Sequence, residues 1–196
     1  MLDLLENEGK IDILVNNVGI MAIPTCTETK QGLESQVGVY HIGHFYLTKL
    51  LLPAIQKADG RIVCLNSSVH LQHDIQTCLI PSTLDTDPYH KWTAYGNTKA
   101  CNMLHAKALN SLPDITAYSV MPGGIHTGLQ GPVDWYTKFQ WAIVTPFFFK
   151  SIAQGAATST AKLDKLPNGE YYNNCTRGEK ALNRIQGTVA YLRPSK

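Results

Sequence analysis

Apolar residues fall along this chain at two alternating spacings. Residues 11–17 begin Ile11-Asp12-Ile13-Leu14-Val15, Arg61-Ile62-Val63-Cys64-Leu65 is a second such run, and residues 115–121 continue the series. Short runs of this kind, bounded by turn formers, predict strands buried in a sheet. Residues 169–173 add a last short strand. Between the runs the spacing changes to that of a helix. Residues 32–57 carry apolar positions at helical intervals up to Asp59-Gly60. Residues 94–112 place Ala100, Met103, Leu104 and Ala108 on one face before Pro113 stops the helix. Residues 151–165 read as a further helix, residues 69–92 with Pro81 and Pro88 as irregular, and residues 132–150 as an aromatic-rich stretch. Strands that alternate with helices predict an α/β fold, a parallel sheet with crossover helices. No repeat, low-complexity tract or linker divides the chain, so a single domain is expected.

Composition narrows the function classes. At 196 residues and 44% hydrophobic, the chain has enough apolar surface for one core. Seventeen basic against 15 acidic residues leave a net charge of +2. No basic run of the kind that tracks a phosphate backbone occurs, which argues against a nucleic-acid surface. The five cysteines, Cys26, Cys64, Cys78, Cys101 and Cys175, are scattered and odd in number. That usage suits a reducing compartment and offers neither a disulfide framework nor a zinc site. His41, His44, His70, His73 and His90 fit no metal-ligand spacing, so no metal is expected. No stretch reaches the ~20 apolar residues of a membrane-spanning helix, and residues 2–10 are too short and acidic for a signal peptide. A cytoplasmic location is the expectation, under which the acceptor patterns at Asn66 and Asn174 carry no weight.

Candidate chemistry is concentrated at the ends of the apolar runs. Tyr95 and Lys99 stand four residues apart in Tyr95-Gly96-Asn97-Thr98-Lys99, one turn apart on one helix face. An ammonium held beside a phenol in a shielded cleft favours the phenolate and lowers the tyrosine pKa from ~10. Tyrosine then becomes a working acid or base near neutrality. Asn16-Asn17-Val18-Gly19 follows the first predicted strand, Asn66-Ser67-Ser68 the second, and Pro122-Gly123-Gly124-Ile125-His126-Thr127 the third.

In that order these residues resemble the short-chain dehydrogenase/reductase family, whose pattern runs Asn-Asn-Ala-Gly, serine, Tyr-x-x-x-Lys, Pro-Gly and threonine. His41-Ile42-Gly43-His44-Phe45 and Gln154-Gly155-Ala156-Ala157 resemble the retinol-dehydrogenase-like and WW-domain-oxidoreductase-like branch. The resemblance implies a Rossmann-like doubly wound parallel sheet and an NAD- or NADP-dependent interconversion of an alcohol and a carbonyl. Tyr95 would be the acid/base, Ser67 the donor to the substrate oxygen, and Lys99 the group that tunes Tyr95 and meets the nicotinamide ribose. Asn16 and Gly19 would line the adenine-ribose side, with Pro122, Gly123, Ile125 and Thr127 over the nicotinamide. The aromatic residues of 135–149 would form a lid for a small apolar substrate, and a homo-oligomer is implied.

Two departures stand out. Tyr40 occupies the place of the family's catalytic asparagine, whose bound water links the lysine to solvent. No Gly-x-Gly-x-x-Gly or Gly-x-x-x-Gly-x-Gly occurs, so the strand, turn and helix that receive the pyrophosphate are expected to be missing and the domain to be N-terminally truncated. The choice between NAD and NADP stays open. Truncation would leave residues 11–15 as an open apolar sheet edge. A rival reading is therefore a catalytically silent homologue that acts through protein contacts, at that edge and along the 32–57 helix.

Overall fold

The computed structural model describes residues 9–21, 23–71, 89–125, 150–160, 171–173 and 176–177. Strand β1 is Ile13–Asn16. Helix α1 follows in three pieces, an α-helical turn Ser35–Val37, a π-helical segment Gly38–Gly43 and an α-helix His44–Gln56. Strand β2 is Arg61–Leu65, followed by a 3-10 turn at Ser68–Leu71. Then come α2 at Lys91–Leu109, β3 at Thr116–Met121, α3 at Ile152–Thr160, β4 at Tyr171–Asn173 and β5 at Thr176–Arg177. The sheet order is β1-β2-β3-β4-β5. The first four strands are parallel, and β5 pairs antiparallel with β4. This is the expected Rossmann-like α/β architecture.

Alternation along β2 divides the core between the two faces of the sheet. Ile62 and Cys64 pack with Ala117 against Leu51 and Ile55 of α1 and Ala106 and Leu109 of α2. Val63 and Leu65 turn the other way, onto Tyr118, Val120 and Tyr172. A sheet packed on both faces is what continuous apolar strands require.

Several boundaries differ from the sequence expectation, each for a local reason. Strand β1 starts at Ile13 because the Ile11 amide bonds to the Ala54 carbonyl at the end of α1 (3.0 Å) rather than to a strand. Helix α1 starts at Ser35 because the Glu34 carboxylate accepts from the Val37 amide at 2.9 Å as an N-cap, while Gly32 sits in a turn at φ +74°. Helix α2 starts at Lys91, inside the stretch expected to be irregular, because the His90 ring caps the Thr93 amide at 3.3 Å. Its buried stripe runs Tyr95, Lys99, Asn102, Met103, Ala106 and Leu109, whereas Ala108 is exposed. The stripe that packs the core therefore also turns Tyr95 and Lys99 inward.

Ile13 is 50% and Val15 45% exposed, and among the described residues only β2 pairs with β1.

The end of α2 is tied to β3 by one side chain. Asn110 donates to the Ala106 and Ala117 carbonyls, both at 2.8 Å, and accepts from the Ala117 amide at 3.1 Å. Asn110→Ala is expected to cost about 1–3 kcal/mol, since partly buried backbone groups lose their partner. In urea titration the midpoint should fall with an unchanged slope. A loss below ~0.5 kcal/mol would mean that water replaces the amide fully.

Candidate active site

The three motif loops meet at the carboxyl ends of β1, β2 and β3, where open α/β sheets bind ligands. The ladder brings them level, with Asn16 opposite Cys64 and Leu65 opposite Val120. Together they enclose a cleft of ≈ 600 Å³. Asn17, Val18, Gly19 and Met21 form one wall, and Met121 to Ile125 the other. Leu65 to Ser68, with Tyr40, Tyr95 and Lys99, complete the lining.

Each predicted site residue among those described has a definite place. Asn16 does not line the cleft. It is 1% exposed beneath it, on the same side of β1 as Leu14, and its Nδ2 donates to Thr48 Oγ1 at 3.0 Å. Gly19 reaches the cleft and is pressed by the Tyr40 ring, which a Cβ at Gly19 would overlap. Ser67 stands on the cleft at the end of β2, beside Tyr95. Pro122, Gly123 and Ile125 form the third loop. Gly123 has φ +95°, a conformation that favours glycine. The Lys150 amide donates to the Gly124 carbonyl at 2.8 Å and closes that loop. Thr127 and the aromatic residues of 135–149 lie outside the described residues.

Lys99 is 3% exposed. Its ammonium donates to the Leu65 carbonyl at 3.1 Å and lies 3.7 Å from the centroid of the Tyr40 ring. The Tyr95 ring is farther, at 5.5 Å. Among the described residues no carboxylate pairs with it, and burial lowers its pKa to about 7, with Cys64 opposing. His44 is buried beside the same charge, and burial and Lys99 both hold its pKa down.

The tyrosines depart from the expectation drawn from spacing. Burial raises the Tyr95 pKa, and the groups that pull it back are the Ser67 and Tyr40 hydroxyls. Lys99 is not among them: with its own pKa lowered to about 7 by burial, it is neutral in the range where a phenol ionises. Tyr40 is driven up by burial first and by the neighbouring Tyr95 second. The two rings meet edge to face, 5.7 Å apart at 67°.

Two supporting groups were not singled out by motif reading. Asn66, buried, receives the Ser67 amide on its side-chain oxygen at 2.7 Å and donates to Ser119 Oγ at 2.8 Å. It thereby fixes the turn that presents Ser67, and its burial also removes it as a glycan acceptor. Gln36 donates to the Tyr89 hydroxyl at 2.8 Å and the Lys91 carbonyl at 3.3 Å, and Tyr89 donates to Glu34 at 3.2 Å. This clamp seats the start of α2 on the start of α1, with Tyr95 against Tyr40. Asn66 was visible within Asn66-Ser67-Ser68, whereas the clamp joins residues 55 apart in sequence and left no local signal.

Comparison with known proteins agrees with this fold. A family model described as short chain dehydrogenase matches residues 2–135. Retinol dehydrogenase 12 of Mus musculus is 35% identical over 187 residues, covering 88% of this chain and 55% of that protein. The WW domain-containing oxidoreductase of Drosophila melanogaster is 34% identical over 183 residues, covering 88% and 44%. The chain thus spans about half the length of these relatives. A short-chain dehydrogenase/reductase of Caenorhabditis elegans, solved with cofactor, superposes with a TM-score of 0.64 at 21% identity, over 92% of this chain and 71% of that one. Among the described residues no helix is long and apolar enough to cross a membrane. The chain belongs to the short-chain dehydrogenase/reductase family, in the branch of retinol dehydrogenase 12 and the WW domain-containing oxidoreductases.

Proposed function

We propose that this chain carries the substrate side of an NAD(P)-dependent oxidoreductase that interconverts a small apolar alcohol and its carbonyl. The observation that carries the reading is the convergence of Ser67, Tyr95 and Lys99 on one cleft at the strand ends. The cleft suits the nicotinamide–ribose end of a dinucleotide. Gly123 lets backbone approach a flat ring without a Cβ, and Lys99 is the cation available at the cleft floor for ribose hydroxyls. Pro122 and Ile125 flank that turn, and Gly19 with Asn17 and Val18 would face the adenosine side, over the buried Asn16. No glycine-rich turn in this sequence serves the pyrophosphate.

When bound, the nicotinamide supplies or accepts the hydride at carbon. The protein's share is orientation and the proton. Ser67 and Tyr95 hold the substrate oxygen between two hydroxyls, Tyr95 gives its proton to that oxygen in reduction, and its phenolate takes one back in oxidation.

The test is nucleotide binding by the full chain, followed by turnover on a panel of apolar alcohols and carbonyls. Tyr95→Phe is expected to lower turnover about 10²–10⁴-fold while nucleotide still binds. Binding with no turnover on any substrate would sink the enzyme reading. It would favour the contact-protein reading, which draws on the exposed Ile13 and Val15 of β1 and on Phe45 and Tyr46 of α1.

A further inference from the structure

We infer that Gly155 of α3 is a positioning residue for the third loop of the cleft: it seats the Ile125 side chain and keeps that wall drawn back. The seat concerns only this chain's residues, whereas its consequence for a nucleotide rests on the proposed function.

Residues 122–125 are held from one short segment. Ile125 pairs with Lys150 in an isolated parallel bridge. The Lys150 amide donates to the Gly124 carbonyl at 2.8 Å, and its ammonium donates to the Pro122 carbonyl at 3.4 Å. Helix α3 starts directly after this anchor, with a capping box. Ser151 Oγ accepts from the Gln154 amide at 3.2 Å, and Gln154 Oε1 accepts from the Ser151 amide at 2.9 Å. The box fixes the first turn, and the next residue is Gly155.

Gly155 is where α3 meets the loop. It is buried, although residues 151–154, 156 and 157 are exposed. A Cβ on it would overlap Ile125 Cδ1 and Cγ1, and would come to 3.8 Å from Pro122 Cβ. Its φ is not in the left-handed region, so the backbone does not call for glycine. Alanine is the better helix former at such a position, but it would leave no room for Ile125. Close packing therefore accounts for the glycine in Gln154-Gly155-Ala156-Ala157.

Ile125 lines the cleft on its other side, and Gly155 itself does not. With its backbone bridged to Lys150 and α3 behind it, a crowded Ile125 side chain has the cleft to move into. A methyl group added on α3, outside the cleft, would thus narrow it.

The experiment follows the δ1 methyl of Ile125 by NMR in the full chain, with isotope-labelled isoleucine. The Ile125 signal is the one lost in Ile125→Val, and its carbon shift reports the side-chain rotamer. In Gly155→Ala that signal is expected to move, while those of Ile55 and Ile62, in the core between the sheet and α1, stay in place. NADH and NADPH are then titrated into both proteins and followed by fluorescence. Gly155→Ala is expected to weaken whichever the parent binds by about tenfold or more, the scale of one misplaced methyl group in a pocket. An Ile125→Ala background lacks both overlapping atoms, and there Gly155→Ala is expected to change affinity less than about twofold. A stationary Ile125 methyl in folded Gly155→Ala would overturn the inference. So would a moved methyl with unchanged affinity, or an equal loss of affinity with and without the isoleucine. Should Gly155→Ala not fold, Ile125→Ala must restore folding, and failure to do so overturns the inference as well. A parent chain that binds neither nucleotide sinks the proposed function. The methyl signal then decides the seat by itself, so the two ideas fail separately.

Discussion

Lys99→Met is expected to make the protein more stable by about 2 kcal/mol at neutral pH and to silence the site. The ammonium is buried, has no carboxylate partner among the described residues, and keeps only the Leu65 carbonyl and the face of Tyr40. Desolvating a charge without a counter-ion costs more than these contacts return, which is why the folded pKa falls to about 7. The unfolded chain titrates near ~10.4. Between those two values the unfolded state holds a proton that the native state lacks, so stability rises with pH across the window and falls as pH drops through it. Below about 7 both states are charged and the penalty is complete. The gain from Lys99→Met should therefore be largest at pH 6 to 7 and shrink towards pH 9 to 10, roughly following that linkage. Urea titrations of both proteins across this range would show it, with a rise in Tm of roughly 4–8 °C at neutral pH. A methionine variant less stable than the parent at pH 7 would mean that Lys99 is a structural cation. Turnover should drop by about 10² or more, since a group tuned for the site has been exchanged for stability.

How much of this was legible beforehand follows the range of each interaction. Strand β2 matched residue for residue because its apolar run, bounded by Gly60 and Asn66, is a local pattern. Strand β5 has two residues and no period of its own, so nothing in the chain announced it. The start of α2 was read late because histidine is an uncommon N-cap and Pro88 suggested continued irregularity. The buried place of Asn16 could have been found, since period two puts it on the side of Leu14, towards α1. Tyr95, Lys99 and Ser67 were brought together by motif order alone. The direction of the Tyr95 shift could not be, because four-residue spacing says that two groups are near and not which neighbour intervenes. Burial decides the direction, and the groups that bury Tyr95, the Tyr40 ring of α1 among them, come from elsewhere in the sequence.

Gly19→Ala is expected to cost about 1–3 kcal/mol and to disable the site, for a reason specific to this chain. Gly19 is not at a positive φ, so alanine strains no backbone. In this protein the added Cβ would overlap the Tyr40 ring at Cε1, Cζ and the hydroxyl oxygen. The ring has little freedom to yield, with the Lys99 ammonium on it and Tyr95 against its edge. Moving it uncovers a buried cation and removes the edge-to-face contact with Tyr95 together. Enlarging Tyr40's neighbour and shrinking Tyr40 should therefore compensate. In a Tyr40→Ala background, Gly19→Ala is expected to cost less than about 0.5 kcal/mol, leaving a coupling energy on the order of 1–2 kcal/mol. A double-mutant cycle in urea measures it. Additive costs would mean that the ring and the glycine do not depend on each other, and that Gly19 serves the backbone alone. Strong coupling would mean that Gly19 and Tyr40 are one feature, a glycine-bounded slot filled by a phenol.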